Sequence, residues 1–215
     1  MLIQIWSDFA CPFCFIGKHN LEMAITRLTP EQQKEIQLYF RSYELTPDAP
    51  NYTEQTAYEQ LAEKYNSSLQ RAKALARRAT SIANQYGLDF DYDKIVPTNT
   101  FKAHQLLHYT MDNEPKKTIQ VSRALFDGYL SKGLNLADDA TLIEIAKAVE
   151  LDADAFKEAL ESEKYAKNVR DDEKLAHQMN ISSVPFFVID NESAIAGSQS
   201  VDDFHAFLVD YFNNK

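Results

Sequence analysis

The sequence predicts an α/β fold built from the two ends of the chain, with an all-helical block inserted between them. Three observations predict it. The first forty residues read as strand, helix, strand. No segment within residues 51–159 alternates apolar and polar side chains in the manner of a half-buried strand. Near the other end, Val184-Pro185-Phe186-Phe187-Val188-Ile189 is one continuous apolar run. A chain of 215 residues is long enough to bury a sizeable core.

Taken in order, Leu2 to Trp6 reads as a mostly buried strand. From Pro12 the pattern turns helical, with Leu21, Ala24, Ile25 and Leu28 on one buried face, and Thr29-Pro30 ends it. Ile36, Leu38 and Phe40 then alternate with the period of a strand. A strand–helix–strand unit this short makes its two strands parallel. After Leu45-Thr46-Pro47 the spacing is helical: Tyr58, Leu61, Ala62 and Tyr65 mark one helix. Leu69, Ala72, Ala76, Ala79 and Ala83 mark a second, which stops near Gly87. Further helices are expected over 98–111, 116–130 and 142–149. The apolar run at 184–189 suits a strand covered on both faces. Asp190-Asn191-Glu192 is a turn, Ala194 to Ala196 a short partner strand, and Val201 to Phe212 a closing helix. The expected division is a discontinuous core of residues 1–50 and 160–215, with residues 51–159 inserted as a helical domain.

Twenty-two basic against 32 acidic side chains give a net charge of −10. That balance opposes binding to nucleic-acid backbones or anionic membrane surfaces, so neither partner is expected. No stretch approaches the ~20 apolar residues that cross a bilayer. The first residues carry neither a basic region nor a long apolar one before the motif at Cys11, and the expected compartment is the cytoplasm.

Both cysteines of the chain fall in Cys11-Pro12-Phe13-Cys14, after the first strand and at the start of the first helix. Two sulfurs at this spacing can close a small ring, and a helix N-terminus favours a thiolate. Structural zinc needs four ligands, and the five histidines, His19, His104, His108, His177 and His205, supply no such set. A structural staple is disfavoured because so short a loop constrains the unfolded chain little. Redox chemistry is the reading that remains. Cys11 is the expected nucleophile, with a lowered pKa; Cys14, one turn in and more buried, is expected to attack the mixed disulfide. Pro12 loses nothing in a first helical turn, where no N–H partner is required. Phe13 is either an apolar docking edge beside the sulfurs or ordinary helix packing. Pro185 opens the apolar strand, where a proline is tolerated. His104 and His108 share a helix face with Phe101, either as a satisfied buried pair or as a polar wall of a cleft. Asp8, Lys18, Arg27 and Arg41 read as solvated charges without a chemical role.

Four strings carry a family likeness: Asp8 to Lys18 around the cysteines, Arg41 to Pro47, Asn99 to His104, and Ser183 to Ile189 with Gly197-Ser198-Gln199 beyond. Together they resemble the DsbA-like branch of the thioredoxin superfamily, and within it the FrnE-like group of dithiol oxidoreductases. The resemblance implies a thioredoxin-like fold with an inserted all-helical domain. It also implies a cis Val184-Pro185 bond packed against the cysteines, leaving the Val184 backbone free to pair with substrate, and cleft roles for Asn99 and His104. The implied activity is thiol–disulfide exchange with protein or small-thiol substrates, as a cytoplasmic reductase or isomerase. Glutathione is a candidate co-substrate, and no other cofactor is expected. The chain departs from the group at Phe13, more often Trp, and at Ser183, commonly Gly. Two other readings stay open. One is a glutathione-dependent isomerase or transferase, resembling 2-hydroxychromene-2-carboxylate isomerase and the kappa-class transferases, which typically carry serine where Cys11 stands. The other is a non-catalytic, chaperone-like binding module.

Overall fold

The computed structural model describes residues 1–214. Its sheet consists of β1 (Leu2–Ser7), β2 (Gln37–Ser42), β3 (Phe186–Ile189) and β4 (Ser193–Ala196), in the spatial order β2-β1-β3-β4. β1 pairs in parallel with β2, setting Ile3 against Leu38 and Ile5 against Phe40. β3 runs antiparallel to β1 and β4 antiparallel to β3. Among the described residues the only parallel pair is thus the one joined by a helical crossover, and β3 and β4 are joined by a tight turn.

β1 is a central strand, buried on both faces. Ile3 and Ile5 face the main core, where α1 (Pro12–Thr26) packs against α10 (Val201–Asn213). Trp6, on the alternate face, joins Val188, Ile181 and Ala176 in a smaller cluster under α9 (Ala166–Gln178). Between β2 and α9 lie α3 (Ala57–Lys64), α4 (Leu69–Asn84), α5 (Phe101–Asn113), α6 (Thr118–Leu130), α7 (Asp139–Ala148) and α8 (Ala153–Glu161). Among the described residues this stretch contains no strand. One cluster of buried side chains runs from Ile3 and Phe40 in the sheet to Phe156 in the helical stretch. Its bridge is aromatic: Phe126 of α6 lies 4.9 Å from Phe15 of α1, stacked, and 5.0 Å from Phe9, edge to face. The helical stretch therefore shares its core with the sheet.

Three helices lie where none was expected. At Thr29-Pro30 the chain ends α1 and at once starts α2 (Pro30–Glu35): Thr29 and Gln32 form a reciprocal capping box, and Pro30 takes the first helical position. α8 starts at an Asp152 cap bonded to Ala155 N. α9 hides its period because one of its few buried positions is a charged residue, Asp172, beside Val169 and Ala176. β3 starts at Phe186, two residues later than the apolar run, since Pro185 has no N–H to give the ladder.

Gly17 fixes how closely α1 approaches the strand entry. A Cβ there would stand 3.1 Å from Pro185 Cγ and 3.3 Å from both Phe187 Cζ and Ser198 Cα. Gly17→Val should therefore overpack this seam and lower stability by roughly 1–3 kcal/mol, measured by thermal or denaturant unfolding. Unchanged stability would show that the seam yields freely.

Candidate active site

The end of β1 delivers the chain into a turn at Asp8–Ala10, whose Asp8 carbonyl accepts a hydrogen bond from Cys11 N at 3.0 Å. Cys11 is the N-cap of α1, with extended backbone (φ −98°, ψ 111°), and its carbonyl accepts from Cys14 N at 3.1 Å. Pro12 takes the first helical position. The Cys11 sulfur thus stands at the positive end of a 15-residue helix, beside backbone N–H groups that have no partner within the helix.

The two thiols are unequal. Both are free, Cys11 with 5% of its surface exposed and Cys14 with none. Burial raises the Cys14 pKa well above the ordinary thiol range. Cys11 raises it further through a hydrogen bond and its charge, and the Asp8 charge acts the same way, opposed by a backbone hydrogen bond from Asp8. Across from Cys11 the Val184-Pro185 bond is cis, and Val184 O lies 3.8 Å from Cys11 Sγ. Pro185 O accepts from Gly197 N at 2.8 Å, and Asn20 Nδ2 of α1 donates to Gln199 O at 2.8 Å. These bonds hold the strand entry against α1.

Over Cys11 opens a cavity of about 620 Å³. Cys11, Pro12 and Phe13 form one side of it, and Phe13 is 39% exposed. The opposite side comes from α3 and α4, with Lys64, Arg71 and Arg78 among its side chains. Tyr92 and Tyr129 complete it; burial raises both phenol pKa values, the Cys11 charge adding at Tyr92 and the Asp8 charge at Tyr129.

Asp8 and Lys18 are not the solvated charges their sequence positions suggested. Asp8 is fully buried: Oδ1 accepts from Ala10 N (3.1 Å) and Thr100 Oγ1 (2.8 Å), and Oδ2 from Leu45 N (2.6 Å). Burial raises its pKa and these bonds oppose the rise. Lys18 is also buried, its Nζ 2.7 Å from Glu22 Oε1, with burial lowering its pKa against the pull of Glu22. Arg41 is half-buried and bridges Asp172 Oδ1 (2.7 Å) to Gln4 Oε1. Arg27 alone stays at the surface, on Asp202. A carboxylate two residues before a free backbone N–H, between a strand and a helix start, is the one local sign that would have exposed Asp8.

Asn99 and His104 lie behind the cavity wall. The Asn99 amide donates to Glu44 Oε1 (2.9 Å) and Pro47 O (3.0 Å), and its oxygen accepts from Phe101 N, so it braces the start of α5. Burial pushes the Glu44 carboxyl up to about 7, although Arg170 lies 2.6 Å away and opposes it. His104 is fully buried, its ring 4.8 Å from that of Phe9 and its Nε2 3.9 Å from Asp8 Oδ1. Burial, with the His108 charge adding, pushes its pKa down to about 3. His108 Nε2 lies 3.1 Å from both Asp172 Oδ2 and Ser42 Oγ. The α5 face that carries both histidines turns toward the sheet and α9.

Comparison with known proteins agrees with this geometry. The DSBA-like thioredoxin domain family matches residues 2–209, and the chain belongs to that family. It is similar in structure to a probable DsbA oxidoreductase of Streptomyces coelicolor, with a TM-score of 0.89 and 29% identity over 100% of this chain and 91% of the other. It is 26% identical to the uncharacterized Bacillus subtilis protein YwbO, over 99% of this chain and 98% of that one. The cytosolic disulfide reductase DsbM of Pseudomonas aeruginosa, solved with GSH, shares the fold at a TM-score of 0.68 and 13% identity, covering 99% and 100% of the two chains.

Alkylation at neutral pH should therefore modify Cys11 well before Cys14, as read by peptide mass spectrometry; equal rates, or Cys14 first, would contradict the asymmetry. A second expectation concerns acid. Between about pH 6.5 and 3 the unfolded state protonates His104 while the folded state does not, so stability falls as pH falls. His104 alone contributes a slope of up to about 1.4 kcal/mol per pH unit there. His104→Gln should flatten that part of the stability–pH curve, and an unchanged slope would refute the assignment.

Proposed function

We propose that this DsbA-like protein is a cytoplasmic thiol–disulfide oxidoreductase, of the FrnE-like group, working as a reductase or isomerase through Cys11 and Cys14. The observation that carries the reading is the placement of Cys11: at a helix N-terminus, on the floor of a cavity, 3.8 Å from the Val184 carbonyl, with Cys14 sealed beneath it.

The Cys11 thiolate attacks one sulfur of a substrate disulfide. The S–S bond breaks, one thiolate leaves, and Cys11 is joined to the remaining half. Cys14 then gives up its proton and attacks the Cys11 sulfur, expelling the second substrate thiolate and closing the Cys11–Cys14 disulfide. Two electrons have passed from protein to substrate; the reverse sequence restores the dithiol at the expense of two thiols. Part of the rise in the Cys14 pKa comes from Cys11 itself. Once Cys11 is tied up in the mixed disulfide it carries no charge, and that part disappears. The resolving thiol is thereby released for ionisation only after the first step.

An extended substrate segment can lie against Val184, whose backbone precedes a residue without an N–H, with Phe13 as an apolar edge. Glutathione as the regenerating thiol is supported by the fold shared with a cytosolic reductase solved with GSH. The direction follows from poise. A cytoplasmic glutathione pool sits at about −220 to −320 mV, and a pair as oxidising as about −120 mV would be held almost wholly reduced there.

Cys14→Ser should accumulate a one-to-one covalent adduct with a small disulfide or with glutathione, visible by mass spectrometry, whereas Cys11→Ser should not. Rapid acid trapping of growing cells should find the pair mainly as dithiol. An adduct on Cys14, or a resting disulfide, would sink the roles or the direction respectively.

A further inference from the structure

We infer that the face of α3 and α4 across the cavity from Cys11 is an anion-recognition surface, which selects small thiols or disulfides carrying two carboxylates. The inference rests on the exchange reading above and names the substrate class of that site.

On α4, Arg71, Leu75, Arg78 and Ile82 all reach the cavity, a spacing of i, i+4, i+7 and i+11 that places them on one helix face. The adjoining face is the buried one, with Ala72, Ala76, Ala79 and Ala83, and Ala79 at the boundary also lines the cavity. The cavity face thus alternates guanidinium and aliphatic groups along its length. Lys64, in the last turn of α3, adds a third cation. Among the described residues none of these three side chains is engaged in an ion pair. The single carboxylate that reaches the lining, Asp8, already accepts three hydrogen bonds. Lys64, Arg71 and Arg78 therefore place three positive charges around the cavity that opens over Cys11, in a chain whose net charge is −10.

The chemistry of the occupant follows. Guanidinium groups pair with carboxylates in a planar, two-bonded manner that ammonium groups cannot match. Arg71 and Arg78 are two turns apart, about 10 Å along the helix axis. A ligand with a carboxylate near each end and a central sulfur spans that distance while its disulfide meets Cys11. A volume of about 620 Å³ holds a molecule of tripeptide size and is too small for a folded partner. In the reducing direction, a symmetric disulfide of this class takes two electrons from the Cys11–Cys14 dithiol and leaves as two thiols. In the other direction two such thiols regenerate the dithiol.

Two readouts test this. The first is binding without chemistry: S-methylglutathione, which carries two carboxylates and no free sulfur, titrated into Cys11→Ser/Cys14→Ser protein by calorimetry. Binding is expected, weakened about tenfold or more by adding Arg71→Glu/Arg78→Glu, and weakened less by Arg71→Lys/Arg78→Lys, which keeps the charge but not the planar pairing. The second is the rate at which the reduced wild-type chain is oxidised by three small disulfides: dithiodipropionate (dianionic), hydroxyethyl disulfide (neutral) and cystamine (dicationic). The dianion-to-dication rate ratio should exceed that of free 2-mercaptoethanol by about tenfold and shrink at high salt. Lys34→Glu, which reverses one charge outside the cavity, should leave the ratio unchanged, and circular dichroism checks that each variant is folded. No binding of S-methylglutathione, or a charge-reversed double variant that keeps full affinity, overturns the anion surface. A wild-type chain that the neutral disulfide cannot oxidise overturns the exchange reading instead.

Discussion

The Asp8 carboxylate accepts hydrogen bonds from Ala10 N, Thr100 Oγ1 and Leu45 N, groups that belong to three separate segments. Ala10 is in the turn that delivers Cys11, Leu45 follows β2, and Thr100 is the residue before α5. One buried side chain therefore fixes the end of the central strand, the exit of its parallel neighbour and the entry of the helical stretch. An unpaired carboxylate at this depth would cost several kcal/mol. With three donors the cost is offset, and the carboxylate becomes the peg about which the site is arranged. The position of the Cys11 sulfur relative to the cavity is a consequence of that peg. It also explains why Asn99, a neighbour of Thr100, works as a brace: its amide ties the same loop to Glu44 and Pro47.

Packing extends the constraint. Phe9 follows Asp8 and meets both the His104 ring and Phe126, while Phe15, four residues after Cys11, stacks between Phe126 and Phe90. The residues flanking Cys11 are thus ones that anchor the helical stretch to the sheet. Phe15 also meets Phe90, in the segment that leaves α4. Substitutions at Phe9 or Phe15 would act on the cavity as well as on the core.

Much of this was legible in the sequence, and what escaped it shares a cause. The strands, the parallel pair and the Cys11–Cys14 placement could be read because apolar periodicity and turn residues report backbone state directly. Periodicity is silent on buried polar groups. Asp8, Lys18 and Asp172 are charged residues in the interior, so a reading that sends charge to solvent misplaces them and misses α9, whose inner face includes Asp172. His104 and Asn99 carry the family likeness but serve the seam between α5, the sheet and the loops, a role no spacing encodes. Arg71 and Arg78 lie beside the alanine face of α4, on a side that reads as solvated. Only the fold turns that side toward Cys11.

The electrostatics of the two thiols bear on the direction of electron flow. A reduced pair becomes strongly oxidising when its thiolate is stabilised, because the dithiol form is then favoured over the disulfide. Cys11 stands at a helix N-terminus, in a cavity lined by Lys64, Arg71 and Arg78. At Cys14, burial, the neighbouring sulfur and the Asp8 charge disfavour the thiolate, against a backbone hydrogen bond from Asp8 that favours it. The charge of the same Asp8 that builds the site thus disfavours the Cys14 thiolate. A shift of about 30 mV corresponds to about 1.4 kcal/mol in a two-electron couple, so a single added charge at this depth moves the balance materially. Replacing the Asp8 charge with an isosteric amide would leave the hydrogen-bond acceptor to Leu45 or Ala10 in part while removing the repulsion. That change favours the Cys14 thiolate and moves the pair toward a stronger oxidant. The carboxylate is in this sense both the structural peg and a brake on oxidising power.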